Sequence, residues 1–210
     1  MKGYYFITDS KLSLKGNLSD ISAAVKAQVR IIQYRSKDRT VKQMYAEALA
    51  LRKIARGALF IINDRIDIAL AVDADGVHLG AEDMPYEAAR KILGKDRIIG
   101  LTVHTVEQAE HAQLLGADYL GVSAIFATRT KPDAGNPSGV ELIRRIKKIA
   151  SIPVVAIGGI TLENAPEVIN AGADALCAIS AVVTHPDVAA AIISFQKLFS
   201  NLKNLKDIVA

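Results

Sequence analysis

The feature that most constrains the fold is a repeated unit in which a short apolar run is followed by a segment of helical length. Eight such units can be placed in succession, and no two apolar runs are joined by a turn typical of a β-hairpin. Short apolar runs without alternation are typical of strands buried on both faces of a parallel sheet. The predicted strands span residues 4–8, 30–34, 59–62, 76–79, 97–103, 118–122, 153–157 and 174–179.

The segments between these strands carry helix signals. Ser19 or Asp20 is expected to cap the first helix, and Gly57 is expected to end the second. Glycine also stands where a helix stops just before a strand, in LGAD (115–118) and AGAD (171–174). The predicted helices span residues 20–28, 40–56, 65–72, 105–115, 139–149, 162–171 and 187–202, with one more that has Pro85 near its start.

This succession predicts an α/β fold, a single (β/α)8 TIM barrel domain over residues 1–210. The length of 210 residues is near the lower limit for that fold. An open doubly wound sheet is the alternative, but it gives no reason for eight units in such regular succession.

Composition excludes several classes of protein. Half of the residues are apolar, yet no run reaches the roughly 18 residues that would span a bilayer, and the first residues do not resemble a signal peptide. We therefore expect a soluble, cytoplasmic protein without a membrane partner. The single cysteine, Cys177, excludes an internal disulfide and is predicted to be a buried, inert thiol.

The net charge of +4 is modest. The densest basic run, residues 144–148, alternates with apolar residues as on a solvated helix face, and no aromatic residues accompany it. We therefore expect no nucleic-acid partner, whereas small anionic substrates would suit the charge. A homodimer is left open.

In a barrel of this kind, function is expected just after the strands. After the second strand, alternation sends Gln33, Arg35 and Lys37 in the same direction. A cationic pair suits a phosphate or pyrophosphate group. An ordinary charged strand end is the alternative interpretation.

Acidic residues follow the next two strands. Asn63 and Asp64 come after the third strand, and Asp83 follows the fourth. Two carboxylates with oxygen neighbours could hold Mg²⁺, which prefers a few carboxylates together with substrate phosphate oxygens. As alternatives, Asp64 could cap the helix at 65–72, and Asp83 could cap the helix after Pro85.

The later strands are followed by polar loops. Residues 126–131 alternate hydroxyls with cations, which predicts an anion cradle and a mobile lid, or else only a flexible, solvated loop. The sequence AIGGI (156–160) follows strand seven, and Ile179 and Ser180 follow strand eight. Glycine amides and a helix N-terminus at these two places form the phosphate site typical of many barrels.

The ordered set of motifs resembles the thiamine phosphate synthase family. The match runs from about residue 4 to residue 181 and rests on residues 5–9, 33–37, 61–65, 75–80 with Asp83, 126–131 and 156–160. Motifs such as AIGGI alone are common in barrels, whereas the ordered set is specific.

The resemblance implies a transferase that joins hydroxymethylpyrimidine pyrophosphate to hydroxyethylthiazole phosphate, giving thiamine phosphate and pyrophosphate. It implies Mg²⁺ as cofactor, held by Asp64 and Asp83. It places the pyrimidine substrate on Gln33, Arg35, Lys37, Asn63, Thr102 and Lys131. Tyr34 and Ser36, in the same 33–37 segment, are also expected to bind substrate. The resemblance places the thiazole phosphate on Thr128, Arg129, Thr130, Gly159, Ile179 and Ser180. Arg35, Lys37 and Lys131 are the expected catalytic cations.

The sequence departs from the family pattern before Phe126, where Ser123 and Ala124 replace the usual glycine and proline. The added side chain of Ser123 puts the local backbone shape in question. Thr102 replaces the usual serine and keeps the hydroxyl. His78 and His104 are interpreted as structural.

Two alternative functions remain. The related thiazole tautomerase needs no metal, carries histidine at the position of Ala124 and typically lacks the aspartate at Asp64; neither feature is present here. A non-catalytic sensor of thiamine phosphate would not need Lys37, Asp64, Asp83 and Lys131.

Overall fold

The structure, a computed structural model, describes residues 1–128, 130 and 136–209. Within this part of the chain, all strand pairings are parallel and join nine strand segments into one sheet. The strands are β1 (Gly3–Tyr4), β2 (Phe6–Ile7), β3 (Ile31–Tyr34), β4 (Leu59–Asn63), β5 (Gly76–Leu79), β6 (Ile98–Val103), β7 (Tyr119–Val122), β8 (Val154–Ile157) and β9 (Ala175–Cys177). The helices are α1 (Asn17–Lys26), α2 (Val41–Ile54), α3 (Ile66–Ala71), α4 (Tyr86–Leu93), α5 (Val106–Leu115), α6 (Gly139–Ile149), α7 (Ala165–Asn170), α8 (Ile179–Val183) and α9 (Val188–Val209).

The sheet closes at its first strand, which is divided into β1 and β2 at Tyr5. The first half, β1, pairs with β9, whereas the second half, β2, pairs with β3. The amide of Tyr5 donates to the carbonyl of Leu176 at 2.9 Å, so the hydrogen bonding passes from one neighbour to the other within a single strand. The eight predicted strands therefore form the predicted (β/α)8 barrel, and the open doubly wound sheet is wrong.

Side chains alternate between two buried layers because successive residues of a strand face opposite sides of the sheet. Those that face the helices form the larger apolar cluster. Those that face inward fill the barrel, as in other barrels of this fold. The inner cluster consists of Tyr5, Ile7, Ile31, Ile61, Tyr119, Val155, Ala175 and Cys177.

Two inward-facing glycines make room for large rings inside the barrel. A methyl group on Gly100 of β6 would overlap the Tyr119 ring, and one on Gly121 of β7 would lie 2.8 Å from Cε1 of His78. Since real Cβ atoms do not approach that closely, glycine is needed wherever these rings keep their positions.

Replacing Gly100 with alanine is expected to destabilise the fold by about 1–3 kcal/mol, the usual cost of overpacking a dense interior. The added methyl group must displace the Tyr119 ring, which is fully buried. Urea denaturation of the two proteins would measure the difference in the free energy of unfolding. An unchanged urea midpoint would contradict the described packing of the Tyr119 ring against Gly100 of β6.

The structure corrects several predicted element ends. Neither Ser19 nor Asp20 caps the first helix, because α1 begins at Asn17 after Gly16 and has no side-chain cap. Thr40 does cap α2, with the reciprocal contact from Gln43. The short helix α8 was not predicted, because it is only five residues long. Among the helices of the described chain, none combines the length and apolarity that a membrane span would need.

Candidate functional site

A cavity of about 420 Å³ opens at the carboxyl ends of the strands. Parallel strands bring all their carboxyl ends to one face of a barrel, so residues from distant parts of the chain meet there. Most of the predicted site residues that the structure describes line this cavity: Gln33, Arg35, Lys37, Asn63, Asp64, Asp83, Thr102, Thr128, Thr130, Gly159, Ile179 and Ser180.

Four predicted residues are not among them. Arg129 and Lys131 lie outside the described residues. Tyr34 is fully buried, and its hydroxyl donates to Glu47 at 2.6 Å, since alternation along β3 turns it toward α2. The Ser36 hydroxyl donates to Asp38 at 3.4 Å. The structure thus does not bring these last two side chains into the cavity.

The two described cations stand on one side of the cavity and each faces a carboxylate. Arg35 contacts Asp9 at 3.2 Å, and its backbone amide donates to the hydroxyl of Thr8 at 2.9 Å. Lys37 contacts Asp64 at 2.6 Å, and half of its side chain remains exposed. These contacts hold both cations at the cavity while leaving donor groups for an anionic ligand.

Asp64 is held by the backbone at the end of β4. Its φ of 62° lies in the left-handed region, which is uncommon for aspartate, and its amide donates to the carbonyl of His78 at 2.9 Å. Strained backbone of this kind clusters at functional sites. The helix α3 begins at Ile66 after Arg65 without a side-chain cap, so the alternative role of Asp64 as a cap is wrong.

Asp83 lies beside Asp64 in the same cavity wall. Its Oδ2 accepts a hydrogen bond from the amide of Gly80 at 2.7 Å. Burial raises the pKa of the Asp83 carboxyl, and the neighbouring Asp64 carboxylate raises it further. The helix α4 begins after Pro85 without a side-chain cap, so the alternative role of Asp83 as a cap is also wrong.

This pair of carboxylates fits a divalent cation. Two like charges that disfavour each other's ionised form gain most from a cation between them. Mg²⁺ is commonly bound by one or two carboxylates with water and substrate phosphate oxygens completing its shell. No group of three or more acidic, histidine or cysteine ligands occurs among the described residues, and such a cage is not what Mg²⁺ requires.

The opposite side of the cavity is made from backbone and hydroxyl groups. Gly158 and Gly159 have φ values of 105° and 63°, and a methyl group on Gly159 would lie 2.8 Å from the Cβ of Phe126. The loop after β8 therefore packs directly on the segment that carries Thr128, whose hydroxyl accepts from the amide of Thr130 at 3.2 Å. The cavity thus has a second group of hydrogen-bond donors for an anion, apart from the cations Arg35 and Lys37.

Ser123 is accommodated at the cavity wall with little exposure, where the family pattern has glycine. Its carbonyl accepts a hydrogen bond from Nδ1 of His104 at 2.5 Å, and its peptide bond to Ala124 is cis. His104 itself also lines the cavity. The backbone here is held by a side chain from the end of β6.

Sequence reasoning treated His78 as structural, but its ring also lines the cavity and contacts Thr102. Nδ1 of His78 lies 2.9 Å from the Tyr119 hydroxyl, and Nε2 lies 2.9 Å from the Thr102 hydroxyl. The signal that could have found it is alternation in β5, which places residue 78 on the inner face together with Gly76.

Cys177 is buried, as predicted, and it also lines the cavity. Burial raises the pKa of its thiol, so less of the reactive thiolate forms than in an exposed cysteine. We expect no labelling by a maleimide at pH 8 in the native protein and full labelling after unfolding in guanidinium, measured by mass spectrometry. Rapid labelling of the native protein would contradict this burial.

Taken together, the fold and the cavity define a (β/α)8 barrel whose site, at the carboxyl end, combines cations, paired carboxylates and glycine amides. The family model described as thiamine monophosphate synthase matches residues 4–182. A thiamine-phosphate synthase of Methanosarcina barkeri is 56% identical over 186 residues, covering 88% of this chain and 84% of that protein. One of Chloroflexus aurantiacus is 47% identical over 199 residues, covering 93% and 92%. The chain therefore belongs to the thiamine monophosphate synthase family.

Solved structures agree. Thiamine phosphate pyrophosphorylase from Pyrococcus furiosus superposes with a TM-score of 0.88 at 41% identity, covering 95% of this chain and 96% of that one. A 3-hexulose-6-phosphate synthase superposes with a TM-score of 0.71 at 18% identity, which shows the fold alone. The resemblance seen in the sequence and the prediction of an enzyme of this family are confirmed.

Proposed function

We propose that this protein joins hydroxymethylpyrimidine pyrophosphate and hydroxyethylthiazole phosphate to give thiamine phosphate and pyrophosphate, with Mg²⁺ at Asp64 and Asp83. The observation that carries the proposal is the meeting of two different anion-binding sides in one cavity. One side pairs carboxylates with cations, and the other offers glycine amides and hydroxyls. One substrate carries a pyrophosphate and the other a single phosphate, so two such sides are what the reaction needs.

The side with Arg35 and Lys37 would bind the pyrophosphate. Negative charge grows on that group as the bond from the pyrimidine methylene carbon to oxygen breaks, and fixed cations stabilise this charge more in the transition state than before it. Mg²⁺, when bound, would supply further stabilisation of the same charge. Lys131 has the same proposed role, on the strength of its place in the family motif.

The thiazole phosphate would lie on the opposite side, held by Gly159, Ser180 and the hydroxyls of Thr128 and Thr130. The lone pair of the thiazole nitrogen then forms the new bond to the methylene carbon, while the bonding pair of the broken bond leaves with pyrophosphate. Because the attacking nitrogen carries no proton, no general base is needed. Holding both reactants in line is therefore the main remaining contribution of the cavity.

The two alternatives fit this cavity less well. Ala124 lines the wall where the tautomerase carries histidine, and it offers no group for proton transfer. A sensor of thiamine phosphate would have no use for two neighbouring carboxylates beside Lys37. A biosynthetic role supports the cytoplasmic location. That location and the single domain remain predictions, and a homodimer is left open.

The direct test supplies purified protein with both substrates and measures thiamine phosphate and pyrophosphate, with Mg²⁺ and with a chelator. Formation of both products in equal amounts only with metal is expected. No product in either condition, with clear binding of thiamine phosphate, would favour the sensor. Isomerisation of the thiazole substrate without metal would favour the tautomerase.

A further inference from the structure

A line of hydrogen bonds crosses the interior of the barrel beneath the cavity and joins two of its walls. Nε2 of Gln33 donates to the Tyr5 hydroxyl at 2.9 Å, and the hydroxyls of Tyr5 and Tyr119 lie 2.9 Å apart. The Tyr119 hydroxyl lies 2.9 Å from Nδ1 of His78, whose Nε2 lies 2.9 Å from Oγ1 of Thr102. The two ends of this chain of hydrogen bonds, Gln33 and Thr102, both line the cavity.

The middle of the chain is closed to solvent. Tyr5 is 2% exposed and Tyr119 is 0% exposed. Burial raises the pKa of both phenols well above the ordinary value, so each keeps its single proton. Each buried hydroxyl therefore has one hydrogen that needs an acceptor.

This requirement sets the direction of the chain. Because the Gln33 amide nitrogen donates to Tyr5, the hydrogen of Tyr5 goes to Tyr119. The hydrogen of Tyr119 then goes to Nδ1 of His78, so the hydrogen that the His78 ring can donate is the one on Nε2. Nε2 therefore donates to the hydroxyl of Thr102.

This direction of hydrogen bonding determines what Thr102 and Gln33, at the two ends, offer to a ligand. The Thr102 hydroxyl accepts from His78, so its own hydrogen is left to donate to a ligand. At the other end, Oε1 of Gln33 takes no part in the chain and is a hydrogen-bond acceptor. A donor at Thr102 and an acceptor at Gln33 match an aminopyrimidine, which has ring nitrogens that accept and an amino group that donates.

The packing is built around these rings. The Tyr119 ring stacks on His78 with centroids 5.3 Å apart and meets the edge of Tyr5 at 5.9 Å. Gly100 and Gly121 provide the space, since a methyl group on either would collide with Tyr119 or His78.

We propose that Tyr119, with Tyr5 and His78, is a positioning residue that sets which end of the cavity donates and which accepts, and so selects an aminopyrimidine. The inference rests on the proposed function and extends it to specificity. Tyr119 acts through Gln33 and Thr102 and does not touch the reacting atoms.

The test compares Tyr119→Phe with Tyr86→Phe in the full-length protein. The first change breaks the chain at its centre and keeps the ring. The second removes a hydroxyl of α4 that donates to the Gly116 carbonyl at 2.6 Å, away from the cavity. Tyr119→Phe is expected to raise KM for hydroxymethylpyrimidine pyrophosphate about tenfold, the equivalent of one hydrogen bond, and to leave KM for the thiazole phosphate unchanged. Tyr86→Phe is expected to change neither.

A double mutant separates positioning from general loosening of the barrel. Because Tyr119 acts through both Thr102 and Gln33, adding Tyr119→Phe to Thr102→Val should raise KM for the pyrimidine substrate by a smaller factor than Tyr119→Phe does in the wild type. Additive effects, or equal rises in KM for both substrates, would overturn the inference. A pyridine analogue, with CH in place of the ring nitrogen that would accept from Thr102, should show a smaller difference in KM between wild type and Tyr119→Phe than the pyrimidine does.

The inference and the proposed function can fail separately. If wild type couples the substrates and Tyr119→Phe behaves like Tyr86→Phe, only the inference fails. If wild type makes no product, calorimetric measurement of hydroxymethylpyrimidine pyrophosphate binding still tests the inference. Weaker binding by Tyr119→Phe than by Tyr86→Phe would support the inference even though the proposed reaction is wrong. No binding by wild type would contradict both the inference and the proposed function.

Discussion

Replacing Asp83 by asparagine is expected to lower kcat by about a hundredfold or more, the usual effect of losing one preorganised electrostatic contact in a site. Asparagine keeps the shape and an oxygen that can accept from the amide of Gly80, but it removes the charge that would hold Mg²⁺. KM for the thiazole phosphate should change by no more than about twofold, because that substrate is assigned to the other side of the cavity.

Two further measurements separate this loss from unfolding. Burial and Asp64 raise the pKa of the Asp83 carboxyl, so folding disfavours its charge at neutral pH, and the neutral asparagine should raise Tm without metal. Mg²⁺ should raise the Tm of wild type and leave that of Asp83→Asn unchanged.

The matched control for Asp83→Asn is Asp73→Asn, which breaks an exposed ion pair with Arg97 at 2.8 Å, before β5 and away from the cavity. We expect its kcat and its response to Mg²⁺ to equal those of wild type, since exposed pairs contribute little. Wild-type turnover by Asp83→Asn would contradict the assignment of Asp83 as a Mg²⁺ ligand.

Replacing Gly159 by alanine is expected to raise KM for the thiazole phosphate by about tenfold to a hundredfold. Its φ of 63° is one that residues with a side chain rarely adopt, and the added methyl group would meet the backbone and side chain of the neighbouring Phe126 segment. The segment that carries Thr128 must then shift away from the proposed position of the thiazole phosphate. KM for the pyrimidine substrate should remain close to that of wild type.

Gly57→Ala is the control for backbone strain alone. Gly57 has a φ of 91° in the turn before β4, and an added methyl group would meet nothing within 4 Å. Gly57→Ala should lose stability through backbone strain alone, as judged by urea denaturation, without a change in either KM. If Gly159→Ala binds the thiazole phosphate as wild type does, the phosphate does not lie on the loop after β8.

The predicted and observed folds agree on strand order and on the barrel, and they differ where a contact across the barrel decides the outcome. The first strand was predicted as one segment over residues 4–8, but Tyr5 divides it because its amide bonds to Leu176 of the last strand. The helix α8 is too short to show a period, and it begins at Ile179, within the predicted last strand, because β9 ends at Cys177. Local patterns carry no information on either event.

In the candidate site, too, some features follow from local sequence patterns and others depend on contacts that only the folded structure shows. Arg35, Lys37 and Asp83 could be predicted from their places after apolar runs. Tyr34 and Ser36 belong to the same motif, yet strand alternation and local hydrogen bonds direct their side chains to Glu47 and Asp38. Motif membership therefore overstated the set of side chains that face the cavity.

The sequence by itself determined the class of fold and the end of the barrel where function lies, because eight alternating strand and helix patterns leave one closed parallel arrangement. Only the tertiary structure decided that Lys37 meets Asp64, that Asp83 lies beside it and that Tyr119 joins His78 to Tyr5. These contacts join residues from different strands. Their geometry depends on how the strands are staggered and on where glycines leave room inside the barrel, which no local pattern encodes.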